Sequence, residues 1–213
     1  LDLENQPDSG GNKQASWRTD PSQSGSGGCI GDIGTHAYNL LRFITQLQPH
    51  QISAELTSFV PGRKLDDNAQ ISLRLNGGAK ATIWSSQIAP GNENHLQIRI
   101  YGEKAGLEWC QEDPNYLYFT KYGSPKQKIT RGGAGAISAA NEVSRIPPGH
   151  PEGYLEGFAN IYSDVANALI DKKNNEFYIN KYHYPTVEDR LEGIRFIERS
   201  IASSSSDSSW INF

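Results

Sequence analysis

The feature that most constrains the fold is a change of hydrophobic period along the chain. Between about residues 51 and 130, short runs alternate apolar and polar side chains, as in Ile71-Ser72-Leu73-Arg74-Leu75. Turn-forming residues such as Asn76-Gly77-Gly78 and Pro90-Gly91 separate these runs. This pattern predicts an antiparallel meander with one face covered. The predicted strands are Gln51–Val60, Ala69–Leu75, Ala79–Ile88, Leu96–Tyr101, Gly106–Cys110 and Tyr116–Thr120.

Helical periodicity flanks this meander on both sides. Apolar residues at spacings of three and four predict a helix that begins near Asp32 and is stopped by Pro49. The same spacing predicts helices over about 152–170 and 187–202. This order predicts an α+β fold, with an open-faced, predominantly antiparallel sheet and helices on one face. An uncovered sheet face favours self-association into a homo-oligomer.

Composition divides the chain into a polar arm, 1–28, and a single α+β domain, 29–213. The arm is rich in Gly, Ser, Gln and Asp, so it has little apolar surface to bury. The serine-rich stretch 203–209 is predicted to be low-complexity and mobile. The 213 residues contain no methionine and begin with Leu1, which indicates a piece of a longer protein.

Charge and cysteine content exclude several classes. The 20 Lys and Arg against 24 Asp and Glu give a net charge of −4, so we expect no nucleic-acid partner. No apolar run approaches the roughly 20 residues of a membrane helix, so we expect no membrane partner. Cys29 and Cys110 are too few for a disulfide scaffold and indicate a cytoplasmic protein with reduced thiols. No His, Cys or carboxylate spacing is typical of a metal site, so no metal is predicted.

Asp32 and His36 form the strongest candidate for chemistry. Four residues apart on a helix, they lie on one face, where a carboxylate can orient an imidazole that acts as a general base. The structural alternative is that Asp32 is a helix N-cap and His36 an ordinary helix residue. The pair follows the flexible stretch Gly25–Gly31, which allows a ligand or another backbone segment to come close.

Two further groups are candidates for ligand contact. Between Pro147 and Tyr154, prolines and glycines hold His150, Glu152 and Tyr154 at the start of a helix; this loop is either ligand-facing or simply rigid. Trp17-Arg18 is either a packing anchor or part of a lid.

Nothing in the sequence provides a dinucleotide site of the usual type. Gly25-Ser-Gly27-Gly28-Cys29-Ile30 lacks the last glycine of G-x-G-x-x-G and follows no predicted strand. We therefore expect no cofactor on this chain alone.

These motifs resemble one family. Trp17-Arg18-Thr19-Asp20-Pro21, Gly31-Asp32-Ile33-Gly34-Thr35-His36, Gly149–Tyr154 and Tyr184–Asp189 are similar to the glucose–fructose oxidoreductase / inositol dehydrogenase / MocA family. The resemblance extends from Trp17 to the C-terminus and matches only the family's second, substrate and oligomerisation domain. It implies that an N-terminal Rossmann domain, which holds NAD or NADP, is missing here.

The resemblance also implies roles for individual residues. His36 would take the proton of a sugar or polyol hydroxyl while hydride leaves for the nicotinamide, and Asp32 would bind the substrate hydroxyls. Trp17 and Arg18 would lie near the nicotinamide half of the cofactor. His150, Tyr154 and Asn39, which stands where some relatives have Asp, are substrate-side candidates.

Two functional hypotheses follow. In the first, the chain is a fragment of an NAD(P)-dependent sugar dehydrogenase, inactive by itself, that self-associates through its open sheet face. In the second, it is a free-standing, non-catalytic sugar-binding or dimerisation module. A hydrolase that activates water with Asp32 and His36 ranks last, because the sequence offers no nucleophile or metal.

Overall fold

The computed structural model describes residues 17–178 and 181–213, which divide into two compact units. The first comprises the residues up to Glu93 together with Val187–Phe213, and the second comprises Asn94–Thr186. The helices are α1 (Pro21–Ser24), a π-helical turn (Ile30–Gly34), α2 (Thr35–Thr45), α3 (Ser138–Glu142), α4 (Tyr154–Lys173) and α5 (Val187–Ser204). The strands are β1 (Pro49–Thr57), β2 (Asn68–Leu75), β3 (Lys80–Ser86), β4 (Gln97–Tyr101), β5 (Ala105–Cys110), β6 (Tyr116–Lys121), β7 (Gln127–Thr130) and β8 (Ile211–Asn212).

The first unit is an antiparallel sheet with helices on one face. Its strand order is β3-β2-β1-β8, and α2 and α5 pack together on the apolar side. Alternate residues of each strand point into the core beneath these helices, where the rings of Tyr38 and Phe196 stack with centroids 4.2 Å apart. The other face presents polar side chains around Trp84, which is 63% exposed. The predicted one-sided burial is therefore confirmed for this sheet.

The C-terminal serines of α5 join the helix to strand β1. Ser203 is fully buried, and its Oγ accepts a hydrogen bond from the backbone N–H of Ala54 at 2.9 Å. The Ser204 Oγ accepts from the N–H of Leu56 at 3.0 Å. The prediction of a mobile segment over 203–209 is thus wrong for its first two residues, because they end a helix and their hydroxyls bond to the sheet.

The second unit is a meander, β4-β5-β6-β7, followed by α3 and the long helix α4. Every residue of β5 is only partly buried. Among its described apolar residues, Ala168 is the one that is buried, at 5% exposure. One stripe of α4 is strongly exposed, including Leu155, Tyr162 and Leu169.

The predicted α+β class with antiparallel sheets is confirmed, but the meander is divided between two four-stranded sheets. The break falls at residues 87–96, where Pro90-Gly91 and neighbouring polar residues interrupt the alternation. The predicted boundary between an arm and a domain at residues 28 and 29 stays a prediction. Among the described residues, each helix is too short or too polar to cross a membrane.

Candidate functional site

The glycine-rich segment before α2 is fixed by one buried carboxylate. Asp66 accepts the backbone N–H of Gly28 at Oδ1 (2.7 Å) and that of Ile30 at Oδ2 (2.8 Å). Its own carbonyl oxygen accepts the N–H of Cys29 at 2.7 Å. Three consecutive N–H groups, which have no strand or helix partner, are thereby satisfied.

Gly28 is required by this close approach. A Cβ at this position would lie 2.2 Å from the carbonyl oxygen of Asp66, a backbone atom that cannot rotate away. The flexible glycine stretch predicted from the sequence is in fact a tight packing site, at which the absence of a side chain lets two backbone segments meet.

Burial shifts the pKa values of two side chains in this segment. It raises the pKa of Asp66 above its usual value, although the N–H groups of Ile30 and Gly28 oppose the shift. Burial also raises the pKa of Cys29 to about 12, so its thiol is protonated at neutral pH. Cys29 is therefore an inert packing residue rather than a nucleophile.

A π-helical turn connects this segment to α2. The N–H of Thr35 donates to the carbonyl of Ile30, five residues earlier. Asp32 lies inside this turn rather than at its N-cap, so the N-cap alternative is wrong. The wider turn also changes which side chains lie above one another, and within the described residues no hydrogen bond joins Asp32 to the ring of His36.

The Asp32 carboxylate is held from two other directions. Oδ1 accepts from Nε of Arg18 at 3.2 Å and Oδ2 from Nε2 of Gln87 at 3.0 Å. The Arg18 guanidinium also lies 4.4 Å from the centroid of the Trp17 ring, a cation–π distance. The structure thus brings Trp17, Arg18 and Asp32 together. His36 is exposed on the first turn of α2.

The remaining candidates have different surroundings. Asn39 is exposed on α2, three residues after His36. In the second unit, His150 is exposed in a turn, and Tyr154 is the first residue of α4, with its ring 5.0 Å from that of Phe158. These two residues therefore belong to a different compact unit from the other candidates.

The loop before α4 is rigid because of Glu152. Its buried carboxylate accepts the N–H of Arg145 (2.7 Å) and of Ile146 (3.1 Å) and pairs with Arg131 at 2.6 Å. Arg131 also donates to the carbonyl of His150 at 2.8 Å. The rigid-loop alternative accounts for Glu152, whereas the side chains of His150 and Tyr154 are exposed.

Sequence reasoning missed Asp66 and Gln87. Both lie far along the chain from the segment that they bind, by 36 to 38 residues for Asp66 and by 55 for Gln87. The one available signal was the pair Asp66-Asp67 directly before strand β2, since acidic residues there need buried donors.

Among the residues that the structure describes, metal-ligating side chains come together in the second compact unit and not around Asp32. In the described part of the first unit, no three His, Cys or carboxylate groups come together, whereas in the second unit His95, Cys110 and Glu112 do.

Comparison with known proteins identifies relatives of this architecture. The model of the GFO/IDH/MocA C-terminal domain matches residues 3–108. An uncharacterized oxidoreductase of Bacillus subtilis (strain 168), YfiI, is 36% identical over 92% of this chain and 51% of its own length. An oxidoreductase structure from Sinorhizobium meliloti is 51% identical with a TM-score of 0.82, covering 86% of this chain and 51% of that chain.

One solved relative holds ligands. An inositol dehydrogenase homolog from Azotobacter vinelandii, complexed with NADH and myo-inositol, is 31% identical with a TM-score of 0.87, covering 94% of this chain and 52% of that chain. The chain thus spans about half the length of the relatives named here. These likenesses define a class: the chain is similar to one part of proteins that are described as oxidoreductases. More particularly, the chain belongs to the GFO/IDH/MocA family and corresponds to that family's C-terminal domain.

Proposed function

We propose that the chain supplies the substrate side of the active site of an NAD(P)-dependent oxidoreductase that acts on a sugar or polyol hydroxyl. The observation that supports this most directly is a carboxylate, Asp32, which is fixed from two sides on a π-helical turn. An exposed imidazole, His36, lies four residues later, in the first turn of α2. Irregular turns of this kind often occur at functional sites. The complex of the Azotobacter relative with NADH and myo-inositol favours the same reaction class.

His36 acts as the general base. An unprotonated ring nitrogen takes the proton of the substrate hydroxyl as the C–H bond breaks, so that the alcohol becomes a carbonyl. Its exposure leaves both ring nitrogens open to a ligand. NAD(P)+, when bound, accepts the hydride.

The proposed role of Asp32 is to position the substrate; it does not orient the ring of His36. Because Arg18 and Gln87 hold one oxygen each, the carboxylate is fixed before substrate arrives, and each oxygen retains a lone pair for a substrate hydroxyl. Asn39, exposed on the same helix, offers an amide that both donates and accepts.

Trp17 and Arg18 are the residues of this chain that suit the nicotinamide end of the cofactor. The Trp17 ring is 43% exposed and backed by the Arg18 guanidinium, so it presents an aromatic plane beside a cation. Such a surface suits a flat heteroaromatic ring with a carboxamide. The rest of the dinucleotide requires the Rossmann domain that the family resemblance implies.

His150 and Tyr154 are proposed contacts to the substrate, and the polar face of the first sheet around Trp84 is the proposed surface for homo-oligomer formation. The face carries polar side chains and a large exposed aromatic ring, which suits a self-complementary contact.

The test is a fusion of this chain behind the cofactor-binding part of the Bacillus relative. We expect the isolated chain to leave NADH fluorescence unchanged, and the fusion to bind NADH and to oxidise a sugar or polyol. His36→Gln in the fusion should lower kcat about 10²–10⁴-fold with NADH affinity unchanged, since it removes the base only.

His50→Gln is the matched control, because His50 is an exposed histidine of β1 in the same unit. Full turnover by the His36→Gln fusion would contradict the role of His36. Tight sugar binding by the isolated chain, with no activity in the fusion, would favour the non-catalytic module instead.

A further inference from the structure

Strand pairing in the second unit brings three metal-ligating side chains to one end of the β4–β5 hairpin. Gln97 is opposite Cys110 in the ladder, and the N–H of Gln111 donates to the carbonyl of Leu96 at 2.9 Å. This register places His95, just before β4, beside Glu112, just after β5. One ligand atom from each of His95, Cys110 and Glu112 lies within 4.8 Å of the other two.

The two carboxylate oxygens of Glu112 make different contacts. Its Oε1 accepts the backbone N–H groups of Asn94 (3.1 Å) and His95 (3.0 Å), which fixes the carboxylate. Oε2 lies 3.5 Å from Nδ1 of His95.

The separation of the His95 and Glu112 ligand atoms fits a tetrahedral ion. Zinc binds nitrogen and carboxylate oxygen at about 2.0–2.2 Å, so at a tetrahedral angle two such ligand atoms lie about 3.4 Å apart. The observed separation of Nδ1 and Oε2 is 3.5 Å. In an ideal site, a thiolate at about 2.3 Å from the ion would lie about 3.6 Å from the other two ligand atoms. Sγ of Cys110 lies within 4.8 Å of the ligand atoms of His95 and Glu112.

We propose that His95, Cys110 and Glu112 form a binding site for a zinc-type divalent cation. The ligands are Nδ1 of His95, Sγ of Cys110 and Oε2 of Glu112, and the fourth position faces solvent. The proposal does not depend on the oxidoreductase function, since it uses none of the residues proposed for that function.

The set of donor atoms selects the metal. A thiolate and an imidazole suit zinc and its neighbours in the first transition row, whereas magnesium and calcium prefer oxygen ligands throughout. The ordered carboxylate lowers the cost of assembling the site, because one ligand is already held in place by two backbone donors.

The sequence could not show this site. Only Cys110 and Glu112 are close in the sequence, and His95 joins them through the sheet register. Such a set has none of the short repeated spacings by which zinc sites are identified.

The test measures zinc binding to the full 213-residue chain without a histidine tag. Titration against a chromophoric zinc indicator should give one ion per chain, and cobalt should give a thiolate-to-metal charge-transfer absorption. Cys110→Ser and His95→Asn should each weaken zinc binding by more than about 100-fold, beyond the usual effect of losing a supporting contact. Asn suits position 95 because His95 has a φ of +56°, which Asn tolerates.

Two controls make the result specific. His50→Asn removes another exposed histidine and should leave zinc affinity unchanged. Cys29 is fully buried, so alkylation of the native chain reports Cys110, and zinc should slow that alkylation at least about tenfold. Absence of a one-to-one complex, unchanged affinity in either ligand variant, or alkylation that zinc does not slow would overturn the proposal.

Discussion

The two compact units bury their apolar side chains to very different extents. The first contains a continuous core around Tyr38 and Phe196, both at most 1% exposed. In the described part of the second, Ala168 is the one apolar residue buried to a comparable degree, and α4 leaves Leu155 77% exposed. Burial of apolar surface is the main favourable term in folding. The first unit is therefore stabilised by its own core, whereas the apolar stripe of α4 contributes little to the stability of this chain.

The largest expected effect comes from deleting one ring in each unit. Phe196→Ala removes a fully buried ring and should lower the free energy of unfolding by about 3–5 kcal/mol. Phe158→Ala, on α4, removes a half-exposed ring and should cost less than about 1 kcal/mol. Urea unfolding followed by circular dichroism measures both. Equal losses would show that the stripe of α4 is buried in solution, and the comparison between the units would fail.

Adding one methyl group should give opposite results in the two units. Gly28→Ala places a Cβ against the backbone of Asp66 and should destabilise the chain by about 1–3 kcal/mol. Gly157→Ala adds a Cβ with open space around it on a helix and should stabilise by about 0.5–1 kcal/mol. The same unfolding experiment measures the difference. A neutral Gly28→Ala variant would mean that the segment before α2 can shift.

A smaller effect should appear as opposite pH dependences. Burial raises the pKa of Asp66 above its usual 3.8, so its contribution to stability is complete below that pH and declines as the pH rises through the raised pKa. In the second unit, the N–H of Gly153 lowers the pKa of Glu156 below its usual 4.5. Its contribution is therefore present above pH 4.5 and lost as the pH falls through the lowered pKa.

Two amide variants separate the pH-dependent stability contributions of Asp66 and Glu156. The stability difference between the wild type and Asp66→Asn should shrink as the pH rises above 3.8. The difference between the wild type and Glu156→Gln should grow as the pH rises towards 4.5. Unfolding free energies as a function of pH provide the measurement. Parallel slopes for both variants would contradict the assignment of opposite shifts.

The sequence predicted the longer helices and most of the strands, because their positions depend on the local pattern of apolar and polar residues. The helix expected over 187–202 runs from Val187 to Ser204, and each predicted strand has an observed counterpart. Hydrophobic periodicity records which face of an element is buried, and in the first unit that information was sufficient. It did not separate the meander into two sheets, because a local break in alternation does not reveal where the next strand pairs.

The sequence predicted residues of the candidate site but did not predict which other residues they contact. Asp32 and His36 were identified as candidates by their spacing, but the π-helical turn and the partners of Asp32 were not, because Arg18 and Gln87 come from distant parts of the chain. The roles of Asp32, His36, Asn39, Trp17, Arg18, His150 and Tyr154 stay predictions until the fusion variants are measured. Hydrogen bonds between distant parts of the chain produce no periodic pattern in the sequence, so they could not be predicted from it.

The serine hydroxyls at the end of α5 have a consequence for aggregation. Strand β8 pairs with β1 at Gln51 and Ile52. Further along β1, Ser203 and Ser204 occupy the N–H groups of Ala54 and Leu56. An incoming strand from another molecule would have to displace both hydroxyls before it could pair there. The serine-rich end of the chain thus protects a sheet edge against the intermolecular strand addition that leads to amyloid-like assembly.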